Sequence, residues 1–219
     1  MTKKLENHIL YSGMALGADY AFAYFSKKYG VGKQFHFRPD GNTYVNKEYK
    51  ELGITPVVLD DVQMDECYQF MFKCMEGKTK KKYKRTFAQD LCARNYYQVK
   101  DAQAIYAVAE LTPDFKNVHG GTRYAVSYAK CLTKLIYVFD YTKEAWYVWV
   151  DDREGFVLHQ DRIPILFEKF AGIGSRKIQN YKIKDKNTGE WINNPDYIGD
   201  DLKNISLKAI KELFEKAIL

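Results

Sequence analysis

Residues 11–19 read Tyr11-Ser12-Gly13-Met14-Ala15-Leu16-Gly17-Ala18-Asp19, a run of small side chains between a short apolar segment and a stretch with apolar residues at helical spacing. A strand that passes through a glycine loop into a helix leaves the first helical N–H groups without partners, and the helix dipole adds positive potential there. That arrangement cradles phosphate. Two further loops share the texture, His119-Gly120-Gly121-Thr122-Arg123 and Ala171-Gly172-Ile173-Gly174-Ser175-Arg176, each following an apolar or strand-like segment. One such loop is compatible with a tight turn that binds nothing. Three in one chain point to a single ligand held by several loops.

The pattern between the loops alternates strand and helix. His8 to Tyr11 and Gln34 to Arg38 read as strands, and Ala18 to Tyr29 as a helix stopped by Gly30. Pro39-Asp40-Gly41-Asn42 is a turn cluster that leaves Arg38 at a strand end. Residues 46–100 read as mostly helical, with Asp60-Asp61 capping Val62 to Met75 and a second helix over Thr86 to Gln98. Ala102 to Ala109 reads as a buried strand, Tyr124 to Leu132 as a helix, and Leu135 to Phe139 as an almost continuous apolar run of the kind central parallel strands show. Trp146 to Trp149 and Phe156 to Leu158 flank Asp151-Asp152-Arg153-Glu154-Gly155 as an antiparallel hairpin at one sheet edge. Phe167 to Ala171 is a final strand, Lys186 to Gly189 the turn of a small inserted hairpin, and Ser206 to Leu219 a closing helix. The expected fold is therefore α/β: a Rossmann-like three-layer domain over residues 1–219 with a mainly parallel sheet and a small antiparallel extension.

Composition narrows the function classes. At 219 residues and 46% hydrophobic content the chain suits one domain with a real core. Its 18 tyrosines exceed ordinary core needs, and a phenol ring offers a planar partner both a stacking face and a hydroxyl. The net charge of +6 is concentrated in Lys78 to Arg85, where six of eight residues are basic. That run reads either as a nucleic-acid contact or as a solvated loop between helices. Cys67, Cys74, Cys92 and Cys131 form no CxxC pair, and no apolar leader follows Lys3-Lys4, so a reduced, cytoplasmic setting is expected. No apolar run approaches the roughly 20 residues that cross a bilayer, so no membrane partner is expected. His8, His36, His119 and His159 lack metal-ligand spacing, and no metal is expected.

In the first loop Ser12 can donate a hydroxyl, Gly13, Met14, Ala15 and Gly17 can present backbone, and Asp19 can cap the helix start. Gly120, Gly121, Thr122 and Arg123 repeat the logic before a second helix, with Tyr124 as a surface for a base. Gly172, Gly174, Ser175 and Arg176 do so a third time, and Arg38 adds a charge partner. Weaker candidates for acid–base work are Glu110 and Asp140, which read equally as polar loop residues, and His119, which reads equally as a hydrogen-bonded loop histidine.

These motifs resemble the Rossmann-like SLOG superfamily, which includes Lonely-guy phosphoribohydrolases and the nucleotide-binding core of DNA-processing protein A. Members open with a Gly-x-Gly-Ser-Arg-like turn, continue through a Ser-Gly-Gly-Ala-x-Gly-Ala-Asp-like turn and reach Gly-Gly-Thr later. Here Ser12 to Asp19 comes first, Gly120 to Thr122 follows, and Gly172 to Arg176 comes near the end. The order is that of a circular permutation: moving residues 165–219 ahead of residue 1 restores the usual succession. Residues 43–100, read as a helical insertion, and the insert at 178–196 lie outside the resemblance.

The resemblance implies a nucleotide or nucleotide-derived ligand, such as an ADP-ribose relative or cyclic nucleotide, in the crevice at the carboxyl ends of the strands. It also implies dimerisation, for which the Trp146 and Trp149 hairpin is a candidate surface, although the two rings read equally as core packing. Permuted proteins of this kind are common in phage and prokaryotic genomes, where sequestering a nucleotide immune signal is one expected role. The Lonely-guy pattern Pro-Gly-Gly-x-Gly-Thr-x-x-Glu is broken: His119 stands for Pro, Arg123 follows Thr122, and Tyr124-Ala125-Val126 offers no carboxylate. Met14 also replaces a usual glycine. Binding is thus the leading expectation; the alternatives are hydrolysis of an N-glycosidic or phosphoribosyl bond and nucleic-acid binding like that of DNA-processing protein A.

Overall fold

Alternation of buried side chains at period two builds a sheet that is apolar on both faces, and helices cover each. The computed structural model describes residues 5–39, 45–74, 86–178, 182–184, 191–193 and 199–219, the two three-residue pieces as backbone. Its strands are β1 (Ile9–Ser12), β2 (Lys33–Pro39), β3 (Val57–Leu59), β4 (Ala104–Val108), β5 (Leu135–Asp140), β6 (Ala145–Val150), β7 (Gly155–Leu158), β8 (Lys169–Gly174), β9 (Lys182–Lys184) and β10 (Trp191–Asn193). Its helices are α1 (Ala18–Lys28), α2 (Lys47–Glu51), α3 (Asp61–Cys74), α4 (Phe87–Ala93), α5 (Asn95–Val99), α6 (Thr122–Cys131) and α7 (Asp200–Ile218).

The main sheet runs β3-β2-β1-β8-β4-β5-β6-β7. All pairs from β3 to β5 are parallel, and β6 and β7 extend the edge as an antiparallel hairpin. Leu10, Tyr106, Val108 and Phe170 point to one face, where α1 and α7 supply Phe22, Phe25, Leu213 and Phe214. Tyr11, Ile105, Ala107, Ala171 and Ile173 point to the other, against α3 to α6. The result is a three-layer, Rossmann-like α/β fold. β9 and β10 form a separate antiparallel pair.

One position sets how closely α1 approaches the sheet. A Cβ at Gly172 would overlap the Phe22 ring, so the absence of a side chain in β8 lets Phe22 lie directly on the strand.

Several expectations are corrected. The last parallel strand runs to Gly174, because Val108 and Gly174 pair in register, so Gly172 and Gly174 are strand residues and the loop proper starts at Ser175. Residues 57–59, placed in a helical region, instead extend the sheet beside β2; three residues are too short a run for periodicity to reveal. The helix over 86–98 is two, α4 and α5, joined at Arg94, and the closing helix begins at Asp200. Trp146 is not a surface residue: it is buried against Phe139 and Tyr106. Trp149 is half-buried beneath the Lys130 ammonium, 3.3 Å from the ring centre. Asp40, Gly41 and Asn42 of the turn cluster, the Lys78 to Arg85 run and the Lys186 to Gly189 turn lie outside the described residues. Among the described residues no helix is long and apolar enough to cross a membrane.

Candidate functional site

β8 lies between β1 and β4, and the connections of these two neighbours run in opposite directions, β1–α1–β2 toward one edge of the sheet and β4–α6–β5 toward the other. Helices α7 and α1 cover one face on the β1 side, while α6 covers the other face on the β4 side. Between β8 and β4 the loops at the carboxyl ends therefore part, and an open α/β sheet binds ligands in that crevice. The three glycine loops follow β1, β4 and β8, so the topology brings all three to the same edge.

The first and third loops are in direct contact. Gly17 has φ +100°, a conformation open to glycine, and its Cα packs on the Ser175 carbonyl and the Arg176 backbone, where a Cβ would not fit. Ser175 binds three elements together: its N–H donates to Val108 O of β4 (2.8 Å), its carbonyl accepts from Ala18 N–H of α1 (3.2 Å), and its hydroxyl accepts from Lys177 N–H (3.1 Å). Arg176 is exposed at the start of a short 3-10 turn.

The Gly13 loop is held from behind. The Gly13 carbonyl accepts from His36 Nδ1–H (3.0 Å) and lies 3.4 Å from the Tyr49 hydroxyl, which donates to Ala15 O at 2.9 Å. That puts the proton on Nδ1; Nε2 faces the Gln34 side-chain amide, whose Oε1 lies 3.1 Å away, and only that amide turned end for end would donate an N–H to the neutral ring. Burial, with the Arg94 charge nearby, pushes His36 down to about 4, so the ring is neutral at pH 7. Met14 is buried against Ala23 and Tyr49, which anchors the loop to α1 and α2.

Beneath this loop lies a buried ion pair that no sequence pattern announced. Asp19, in the first turn of α1, accepts from Gly174 N–H (3.2 Å) and from the Ala15 N–H, and its Oδ2 lies 3.8 Å from Nη2 of Arg94. Both side chains are about 95% buried. Burial pushes Asp19 up to about 6 although Arg94, the two N–H donors and Arg176 all favour the carboxylate. Gly13 is required here by space rather than backbone shape: a Cβ would overlap Arg94 Nη1 and Asp19 Oδ2.

Arginines from four elements converge on this edge. Arg38, at the end of β2, is nearly buried and feels the charge of Arg94. The Cys92 thiol, raised by burial, feels Arg94, Arg123 and Arg176 together. The Arg123 guanidinium also lies 5.2 Å from the Tyr124 ring centre, so that ring carries a cation on its face. Gly120 and Gly121 are exposed, with no atom within 4 Å of where their side chains would stand, and no side chain caps α6. Thr122 is nearly buried at the first position of that helix.

Other candidates have structural roles. The Ser12 hydroxyl donates its one proton to Gly172 O (2.5 Å) and is fully buried, so it staples β1 to β8 and has no proton for an anion. Asp140 is fully buried and accepts from Leu111 N–H, Thr142 N–H, the Thr142 hydroxyl and the Lys143 ammonium. Burial raises it, but these donors prevail and hold it below the usual carboxylate range. His119 is exposed, with its backbone N–H on Glu110 O (2.9 Å). Glu110 is half-buried and its charge reaches Tyr141 and Lys143, while the Tyr141 hydroxyl hydrogen-bonds Ser175. Among the described residues no three His, Cys, Asp or Glu side chains are grouped to hold a metal.

His36, Tyr49, Cys92 and Arg94 are the site residues the sequence did not disclose. Arg94 and Gln98 sit four apart on one helical face and are both buried, a polar pair visible as a spacing but without a partner in the sequence. Comparison with family models, curated proteins and solved structures found no match to the chain.

Proposed function

We propose that this chain binds a nucleotide or nucleotide-derived ligand through its phosphate groups, in the crevice between the ends of β8 and β4, for sensing or sequestration. One observation carries the reading: at the point where the crossovers part, the Gly13–Gly17 loop packs on Ser175 and Arg176, with Arg94, Arg123 and Arg176 around Cys92. Backbone loops at helix starts together with guanidinium groups suit phosphate oxygens. The circularly permuted SLOG arrangement belongs to this proposal. It is supported by the position of β8, last of the parallel strands in the chain yet central in the sheet. With β8 counted first, the parallel strands run 4-3-2-1-5-6, which is the 3-2-1-4-5 order of dinucleotide-binding sheets with β3 added at the outer edge.

The test is to heat-denature the purified protein and identify released small molecules by mass spectrometry, alongside incubation with nucleotides and ADP-ribose derivatives. An intact nucleotide released, or a panel compound bound and returned unchanged, is the expected result. The second reading, hydrolysis, draws on Glu110, whose charge acts on Tyr141 beside Ser175. A panel compound converted to free base and sugar phosphate would replace the first reading with that one. Failure of every nucleotide to bind would overturn both.

A further inference from the structure

Arg94 is a buried cation with too little around it. Its side chain is 6% exposed, Nε and Nη1 are buried without any hydrogen-bond partner, and the nearest carboxylate oxygen stands 3.8 Å from Nη2, beyond hydrogen-bond range. A guanidinium offers five N–H donors and stays charged, so leaving it buried and under-partnered is costly. One turn along the same helical face Gln98, 1% exposed, has both amide atoms unpartnered as well. The guanidinium fills the space that a Cβ at Gly13 would occupy. No side chain therefore separates its charge from the loop, and in a buried setting that charge acts more strongly than at a surface.

We infer that Arg94, delivered by the helices between β3 and β4, is the inner cation of the site and meets a ligand phosphate from beneath the Gly13 loop. This deepens the reading of the preceding subsection and rests on it. It assigns a binding role to residues outside the glycine loops: the β1 and β8 loops supply backbone, and the α4–α5 joint supplies charge.

The test uses inorganic phosphate and pyrophosphate as probes, with AMP and ADP beside them, on the wild-type chain, Arg94→Met and Arg94→Lys. Binding is read by calorimetry at two salt concentrations and by protection of Cys92 from iodoacetamide. Pyrophosphate and ADP should bind wild type, and more weakly at the higher salt concentration. Either probe pair should slow Cys92 alkylation in proportion to occupancy. Arg94→Met should lose at least about tenfold in pyrophosphate affinity, and Arg94→Lys, which keeps the charge but not the fork, should recover most of it. An unchanged Arg94→Met affinity would remove Arg94 from the site. Should Arg94→Met fail to fold, wild-type alkylation decides: protection by pyrophosphate supports the inference, and its absence while ADP binds elsewhere overturns it. If no nucleotide binds wild type, the underlying reading itself falls.

Discussion

At the scale of single residues, Asp19 and His36 make opposite demands on pH within one buried cluster. Burial raises Asp19 from 3.8 to about 6, so the folded state holds the proton more tightly than the unfolded chain. Its contribution to stability is present below about pH 4 and lost as pH rises toward 6. His36 is lowered from 6.5 to about 4, so its contribution is present above 6.5 and lost as pH falls through 4. At about 1.4 kcal/mol per unit, each amounts to at most roughly 3 kcal/mol, and between pH 4 and 6 they cancel in large part. Urea unfolding of wild type should therefore show these two groups offsetting one another. Asp19→Asn should lose stability steeply on acidification, while His36→Gln should gain it. Parallel pH profiles for the three proteins would refute the opposition. The glycines divide as sharply. Gly13→Ala forces a methyl into Arg94 and Asp19, and should cost about 2 to 3 kcal/mol of unfolding free energy. Gly121→Ala, with φ −67° and open space around it, should stay within about 0.5 kcal/mol in the same measurement.

At the scale of elements, α4 and α5 have one task that their packing alone does not explain, which is to hold Arg94 at the joint between them. The start of α4 is fixed by Thr86: its hydroxyl accepts from Gln89 N–H (3.3 Å), and the Gln89 side chain accepts from Thr86 N–H (3.2 Å). Thr86→Ala should lower stability by about 1 kcal/mol in chemical unfolding. If the helix start also sets the Arg94 position, the loss should come with faster hydrogen exchange at Gly13 and Gly174; loss of stability with unchanged exchange at both would confine Thr86 to its own helix. The helix itself was legible in the sequence because Thr86 opens an apolar run, and β4, β5 and the β6–β7 hairpin were legible because period-two or continuous apolar runs have few other outlets. Three residues of β3 carry no period, and no local rule says that a polar Arg94 faces inward. Its reason is a charge on Asp19, 75 positions away in the chain and adjacent only after the sheet has formed. The glycine loops could be read because their chemistry is local; the ion pair beneath them could not, since it is a product of topology.

At the scale of the whole molecule, the position of β8 makes a demand on connectivity that can be tested without any ligand. The core joins β8 to β1 and β4 by parallel pairing, so the order in which the chain visits these strands matters less than their final register. The segment between β7 and β8 offers a place to cut: Gln160, Asp161 and Arg162 are exposed, whereas from Leu166 onward the chain is committed to the core. Cutting before Ile163 would keep the carbonyls of Ile163 and Ile165 with the piece that makes their contacts to Lys216 and Tyr106. At the other end Leu5 shares an apolar cluster with Leu213 and Phe214 of α7, so the two ends of the described chain approach the same region. Exposed loops with nearby termini are where permutation is tolerated. A chain that starts at Asp161, runs through Leu219, and joins Met1 by a flexible linker of about six residues, spanning roughly 14 Å, should fold. It would visit β8, α7, β1 and α1 in the order the Rossmann-like half requires without a long return. We expect a melting temperature within about 10 °C of the original, since a loss of 1 kcal/mol moves a protein of this size by about 2 to 4 °C. Its pyrophosphate affinity should be unchanged, because every loop at the crevice keeps its own strand and helix. A permutant that folds but no longer binds would place the site at the junctions that were moved. One that fails to fold would mean that the present order of strands, with β8 arriving last into a gap between β1 and β4, is itself needed to build the sheet.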